Sequence, residues 1–256
     1  MPKSSLTCQI TKWSGGAETI NDDIVAVEEP LQVVVDGRPL AVLMRTPGDD
    51  EVLVMGFLLT EGIIESASQV RRIDLEARDN HAMVFLIDEH ECDWERLTRH
   101  LFSASSCGLC GKATVDAILQ SHPPIEHKPD FDPAVIQAAP DIMRAAQANF
   151  DSTGGIHASG IFSQEGELLV LREDIGRHNA LDKVIGEGLM KAIDFSHCFL
   201  LVSGRISFEL MQKAVAARLP LVAGISAPSS LAVSFAKTSN QSLIGFLRPP
   251  TMNIYH

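Results

Sequence analysis

From Ile156 onward, short apolar runs alternate with stretches of helical character, and this alternation restricts the fold more than any other feature of the chain. The runs are Ile156 to Phe162, Leu168 to Arg172, Phe199 to Val202, Leu221 to Ile225 and Leu243 to Phe246. Strand-length apolar segments separated by helical ones predict a sheet covered by helices, the α/β class. The first hundred or so residues read differently. Leu31 to Arg45 alternates apolar and polar positions about Asp36-Gly37, a dipeptide that accepts the positive φ of a tight hairpin. Asp49 and Asp50 precede the apolar run Val52 to Leu59 with Gly62 beyond, which predicts a capped, largely buried helix. Val70 to Ala77 and Ala82 to Ile87, separated by Asp79-Asn80, predict a second hairpin.

The organisation expected from these patterns is α/β, or α+β overall. A β-rich N-terminal part covers 1–120, a Pro-rich connection covers 121–132, and an α/β part covers 133–256. The break falls at Ser121 to Pro133, where prolines cannot support a helix interior or a central strand. Asp132-Pro133 then starts a helix running towards Phe150. A chain of 256 residues, 45% hydrophobic and 21% charged, buries a sizeable core without external staples.

The formal net charge of -12 disfavours general binding to nucleic acid or to an anionic membrane surface, so an anionic ligand must meet a local basic pocket. Met1 to Gly16 is polar and lacks the apolar centre of a signal peptide, and no later segment offers a bilayer-length uncharged run. The expected location is the cytoplasm, with no membrane and no nucleic-acid partner.

The five cysteines are Cys8, Cys92, Cys107, Cys110 and Cys198, an odd and scattered set that makes a poor disulfide framework. Cys107-Gly108-Leu109-Cys110-Gly111 stands apart. It follows Ser103-Ala104-Ser105-Ser106 and precedes a helical stretch from Lys112 to Leu119. Thiols on a loop near a helix N-terminus are biased towards the thiolate, the nucleophilic form. Flanking glycines let a second protein approach the sulfur. A structural zinc site wants four ligands and no second C-x-x-C exists, although His122 and His127 lie near enough in sequence to complete one. A thioredoxin-like pair wants a buried strand before it, where this chain has serines and alanine. A nucleophilic carrier pair without metal is the preferred reading.

In open α/β sheets ligands bind beyond the carboxyl ends of the strands. The residues there are Ser203-Gly204-Arg205, Ser226 to Ser230, and Arg172 to Asn179, in which Arg177 and His178 add positive charge. Hydroxyls, glycine and arginine at helix starts suit phosphate groups. The competing reading is local capping: Ser226 and Ser229 as helix starters, Gly204 as a turn, Asp174 or Asn179 as turn acceptors. No G-x-G-x-x-G follows a strand and no P-loop is present, so an ordinary dinucleotide enzyme or ATPase is unsupported. Gly155-Ile156-His157-Ala158-Ser159-Gly160 invites a zinc-deaminase reading, but Ser159 stands where the catalytic glutamate belongs. His157 then reads either as a ligand contact or as a hydrogen-bonded core residue.

Together, Cys107 to Gly111, Gly155 to Gly160, Arg172 to Lys183, Ser203-Gly204-Arg205 and Gly245-Phe246-Leu247-Arg248 resemble the FdhD family of formate dehydrogenase accessory proteins. Gly56 to Gly62 is similar to that family's early helix. The resemblance implies a homodimeric sulfurtransferase whose C-terminal part is a three-layer, cytidine-deaminase-like domain without deaminase activity. It implies that sulfur arrives as a persulfide from a cysteine desulfurase, on Cys107. From there sulfur passes to the molybdenum of Mo-bis(molybdopterin guanine dinucleotide), a client held for the formate dehydrogenase catalytic subunit. It further implies that Phe246, Leu247, Arg248, Pro249, Pro250 and Thr251 meet that client, with GDP as a mimic of its nucleotide arms. Family members often continue with a glycine and a second basic residue where this chain has Pro250 and Thr251. An alternative of a different class is a cofactor-binding chaperone in which the cysteine pair is structural or holds zinc.

Overall fold

The computed structural model of the protein describes residues 4–88 and 123–256. The chain opens with an antiparallel ribbon, β1 (Ser5–Ser14) and β2 (Ala17–Ala26), closed by Gly15 and Gly16 at φ 58° and 86°. Two consecutive positive φ values are what a tight two-residue hairpin demands, and glycine adopts them freely. The ribbon packs little, and Trp13 and Ile20 stand exposed on it.

β3 (Glu29–Val35) and β4 (Arg38–Arg45) form the hairpin expected about Asp36-Gly37, whose φ values are 47° and 77°. α1 (Asp50–Thr60) follows and buries Leu53 to Thr60. Its expected side-chain cap is absent: Asp49 precedes the helix in the left-handed region and accepts no capping bond. Asp50 is instead engaged by Arg45, whose Nε and second guanidinium nitrogen donate to its two oxygens at 2.8 and 2.9 Å. β5 (Val70–Asp74) and β6 (His81–Leu86) make the second expected hairpin. These strands form a four-stranded sheet in the order β4-β3-β6-β5, with β3 and β6 parallel.

Asp132 caps α2 (Pro133–Ala146) by accepting from the Ala134 amide at 2.8 Å, with Pro133 at the first helical position. The helix stops short of Phe150. Gln147 leaves helical geometry, and a separate short helix, α3 (Ala148–Thr153), starts after it. The cause lies far away in sequence: the Glu173 carboxylate accepts from the amides of Asn149 and Phe150 at 2.8 and 2.9 Å, satisfying a new helix start.

The remaining strands are β7 (His157–Ser163), β8 (Leu168–Asp174), β9 (Cys198–Val202), β10 (Leu221–Gly224), β11 (Ser242–Arg248) and β12 (Thr251–Ile254). They form one mixed sheet in the order β12-β11-β10-β9-β7-β8. β9, β10 and β11 are parallel; β7 runs against both β8 and β9, so β8 points the same way as β9. β12, which the sequence reading did not foresee, turns back along β11. Between the strands lie α4 (Arg177–Met190), α5 (Phe208–Ala216) and α6 (Ser230–Ser239).

The period of two along β9 divides the core. Phe199 and Leu201 pack with Phe131 and with Ile136, Ala139 and Met143 of α2, whereas Leu200 and Val202 face α4, α5 and α6. The sheet is therefore the middle of three layers, as an α/β chain requires. Each such buried side chain contributes roughly 1.5–3 kcal/mol. Among the described residues no helix is long and apolar enough to cross a membrane.

The core on the α4 side continues without a break into α1 and the four-stranded sheet: Val33, Val35, Leu53, Leu58, Val84, Leu181 and Ile185 belong to one cluster. α1 and α4 meet through Gly56 and Gly186. A Cβ on Gly56 would lie 1.8 Å from the Asp182 carbonyl oxygen, and one on Gly186 would lie 1.9 Å from that of Val52. Only backbone fits there. We expect Gly56→Ala to lower stability by at least the upper part of ~1–3 kcal/mol, because the obstruction is rigid backbone. Gly155→Ala, whose new methyl meets nothing nearer than 3.7 Å, should stay within about 0.5 kcal/mol of the parent. Urea unfolding of both variants checks this.

Candidate functional site

Because β8, β9, β10 and β11 point the same way and β7 points back, one edge of the sheet collects four strand ends and the start of β7. The strand-end residues singled out in the sequence therefore share an edge, as expected of an open α/β sheet. On that edge, roofed by α2 and α3, is a cleft of about 750 Å³. Pro140, Met143, Phe150, Ile156, Ile225, Leu247 and Pro249 give it apolar walls. Asp141, Arg144, Gln147, His157, Ser203 and Arg248 supply polar groups, and Gly154-Gly155 form part of its rim. An apolar cleft with a few converging polar groups is the usual form of a small-molecule site.

His157 begins β7 beside the end of β9. Ser203 Oγ accepts from the Ala158 amide at 3.0 Å and lies 3.4 Å from His157 Nδ1. Burial first, and then the neighbouring Arg177 guanidinium, push the His157 imidazole below its ordinary range, so at neutral pH it is an uncharged donor or acceptor. Gly204 lies close under this ring, since a Cβ there would lie 3.3 Å from Nδ1 and Cε1. Arg177, at the first position of α4, lies beside Gly204, and its Nε is buried with no hydrogen-bond partner among the described residues.

His178 does not reach the cleft lining. It faces α5, with Nε2 2.8 Å from a Glu209 carboxylate oxygen but outside hydrogen-bonding alignment. Burial, then Arg177 and Lys213, push its pKa down to about 4.

Asp174 and Asn179, read as local turn residues, hold distant parts of the chain together. Fully buried Asp174 accepts from Gly176 N at 2.9 Å, Asn179 Nδ2 at 3.0 Å, Thr46 N at 3.1 Å and Lys183 Nζ at 2.8 Å. Asn179 Nδ2 also donates to the Met44 carbonyl at 2.7 Å, and Lys183 Nζ to that of Thr46 at 3.0 Å. The run Arg172 to Lys183 is thus first a clamp between α4 and the end of β4. It sets Arg177 behind His157 and Gly204, neither Arg177 nor Gly204 being part of the cleft lining.

The other expected site residues fall in different places. Arg205 is exposed and makes no hydrogen bond or ion pair among the described residues. Phe246 is 38% exposed, at φ 49°, and its amide donates to the Ser226 carbonyl at 3.0 Å. Leu247 is a core residue packed with the Phe199 and Leu201 cluster, and it contributes to the cleft wall. Arg248 lines the cleft while its Nε donates to the Ile225 carbonyl at 3.2 Å. Pro249 lines it too, Pro250 gives its carbonyl to Gln137 Nε2 at 3.3 Å, and Thr251 Oγ1 closes the corner onto the Arg248 carbonyl at 3.1 Å. Phe246 to Thr251 is therefore the hairpin corner joining β11 and β12. Ser229 has the capping role expected of it, accepting from the Ala232 amide at 3.1 Å. Cys107 and Cys110 lie outside the described residues.

Arg144, Gln147 and Phe150 were not foreseen. They come together because α2 breaks at Gln147, and that break depends on Glu173, which no local pattern connects to it. The Arg144 guanidinium lies 4.8 Å from the Phe150 ring centroid and pairs with Asp151 at 2.6 Å.

A family model described as FdhD/NarQ matches residues 26–256. The chain is 43% identical to a protein named sulfur carrier protein FdhD from Streptomyces avermitilis, over 96% of this chain and 92% of the relative. It is 44% identical to one of the same name from Mycolicibacterium paratuberculosis, covering 96% and 95%. A third, from Sulfolobus acidocaldarius, is 40% identical over 96% and 94%. Among solved structures, a formate dehydrogenase accessory protein from Desulfotalea psychrophila superposes with a TM-score of 0.79 at 22% identity, covering 99% of this chain and 97% of that one. That likeness concerns the fold.

The partly buried imidazole of His178 on α4 gives the protein a pH dependence of known sign. His178 is held below its ordinary value of 6.5, so the stability it contributes is complete above pH 6.5 and is lost as pH falls towards about 4. Urea unfolding at several pH values should show the parent losing on the order of 3 kcal/mol more than His178→Asn across that window. Equal slopes for the two proteins would contradict the assignment.

Proposed function

This chain belongs to the FdhD/NarQ family, and from that premise we propose that it is a sulfurtransferase that carries sulfur on Cys107 for the maturation of a formate dehydrogenase. The observation that carries this reading is the match, over 96% of the chain, to proteins named as sulfur carriers. The Cys107-Gly108-Leu109-Cys110 segment lies within the residues matched by the family model. The wider reading has three parts: a cysteine desulfurase as donor, Mo-bis(molybdopterin guanine dinucleotide) as the client that receives sulfur, and the formate dehydrogenase catalytic subunit as destination. A homodimer, acting in the cytoplasm, completes it.

The thiol chemistry is simple. The Cys107 thiolate attacks the outer sulfur of the desulfurase persulfide; a new S–S bond forms on Cys107, the donor's S–S bond breaks, and the donor cysteine leaves as thiolate. Delivery reverses the polarity. A thiol, Cys110 or an external one, attacks Cys107 Sγ, the outer sulfur departs as sulfide towards molybdenum, and the resulting disulfide on Cys107 is reset by a thiol reductant.

The cleft supports the client reading through its chemistry. Two guanine nucleotide arms bring four phosphate groups to a chain of net charge -12, so local donors must offset the general repulsion. Arg248 and Arg144 line the cleft as cations, and Ser203 and His157 line it as neutral hydrogen-bonding groups. The apolar walls suit flat heterocycles.

Intact-mass measurement after incubation with a cysteine desulfurase and cysteine should show a gain of about one sulfur, removed by reductant and absent from Cys107→Ala. Cys107→Ala should also abolish formate dehydrogenase activation in cells lacking the native protein, while Cys110→Ala should do less harm. An unchanged mass in the parent protein, with activation surviving in Cys107→Ala, would leave a chaperone that moves no sulfur.

A further inference from the structure

Gln147 is 4% exposed, yet its side-chain amide has no hydrogen-bond partner among the described residues and it lines the cleft. The side chain is packed along its stem while the amide tip stays open to the cleft, so water bonds it in the free protein and an occupant of the cleft can take over those bonds. The surrounding structure holds the residue in place deliberately. Gln147 sits at the break between α2 and α3 with φ -84° and ψ 82°, and the Glu173 carboxylate fixes that break by taking the Asn149 and Phe150 amides. The same break brings Phe150 to the cleft with the Arg144 guanidinium over its ring.

The groups of the cleft separate by origin. Arg248, His157 and Ser203 come from the strand ends, whereas Gln147 and Phe150 come from the helical roof, next to Met143, Pro140 and Ile156. Arginine at the strand ends suits phosphate. A neutral amide among apolar side chains and an aromatic ring suits a planar, uncharged heterocycle instead. Its Nε2 donates and its Oε1 accepts, side by side, which matches an edge where a carbonyl neighbours a ring N–H. Guanine and the pterin ring both present such an edge.

We propose that Gln147 is the residue that reads the heterocycle of a nucleotide held in the cleft, bonding its lactam edge while Phe150 and Arg144 give the ring a flat surface. This rests on the reading of the cleft as a nucleotide-bearing client's site, and adds which end takes the ring. The division of labour follows: Gln147 acts on the base, Arg248 on the phosphates.

The test uses the full chain and Gln147→Met, which keeps the side-chain length and removes only the amide. Calorimetric titration with GDP and with pyrophosphate, and thermal unfolding without ligand, are read on the parent, Gln147→Met and Arg248→Ala. The expected result separates binding from stability. Gln147→Met binds GDP ~10-fold more weakly, a loss of about 1.4 kcal/mol, yet keeps the parent's Tm because the amide bonds no other described residue. Its pyrophosphate binding is unchanged, whereas Arg248→Ala weakens both ligands. Should pyrophosphate give no heat, weaker GDP binding with an undiminished Tm decides for the proposal. GDP affinity unchanged in Gln147→Met but reduced in Arg248→Ala would overturn the role of Gln147 and keep the nucleotide reading. A lowered Tm with parallel loss of both ligands would make Gln147 structural. A parent chain that binds no GDP would overturn the nucleotide reading, and this proposal with it.

Discussion

Everything on the cleft edge of the sheet depends on how closely α1 can approach α4. The two helices meet through Gly56 and Gly186, where a single methyl would strike a backbone carbonyl at under 2 Å. Close contact of this kind lets the N-terminal sheet share one apolar core with α4, α5 and α6. It also brings polar side chains of the two parts within bonding distance on both sides of the crossing. At one end Lys213 Nζ donates to Thr60 Oγ1 at 2.9 Å, to Glu61 Oε1 at 2.9 Å and to Asp182 Oδ2 at 3.0 Å, while Thr60 Oγ1 donates to Asp182 Oδ1 at 2.8 Å. At the other, Asp174 and Lys183 hold Thr46.

Such buried charges are poor sources of net stability, because each must be stripped of water before it pairs. Burial opposes the charge of Lys213, but Asp182 and Glu61 outweigh it and raise the pKa of the ammonium above its ordinary value. What these groups supply is geometry. Removing one partner would leave an uncompensated charge in the core, so the crossing tolerates only one arrangement, and α4 starts at a fixed point beside Gly204 and His157. The clamp and the cleft are thus one construction, with the Arg172 to Lys183 run serving both.

Much of this was legible because the signals are local. The hairpin at Asp36-Gly37, the start of α2 at Asp132-Pro133 and the alternation after Ile156 each follow from neighbouring residues, and the convergence of strand ends follows from the α/β class itself. The N-terminal ribbon was passed over although Gly15-Gly16 carries the same kind of turn signal, because its strands lack a buried face and hence a clear alternation. The break at Gln147, the freedom of Asp49 from capping, and the clamp made by Asp174 and Asn179 were illegible for another reason. The break and the clamp are decided by partners remote in sequence, Glu173 for the one and Thr46 and Met44 for the other, and Asp49 is set by its own left-handed backbone. The cleft residues that local patterns missed, Arg144, Gln147 and Phe150, are those that such a remote partner positions.

The proposed function joins two roles in one chain: sulfur carried on Cys107, and a client held at the strand ends while it receives that sulfur. The most direct test loads the protein with radiolabelled sulfane sulfur through a cysteine desulfurase, adds cofactor and the apo formate dehydrogenase catalytic subunit, and counts label in the separated proteins. The account predicts that label leaves the parent chain and appears with the dehydrogenase as activity rises, and that Arg248→Ala is loaded normally but retains its label. Activation without movement of label, or equal delivery by Arg248→Ala and the parent, would contradict it.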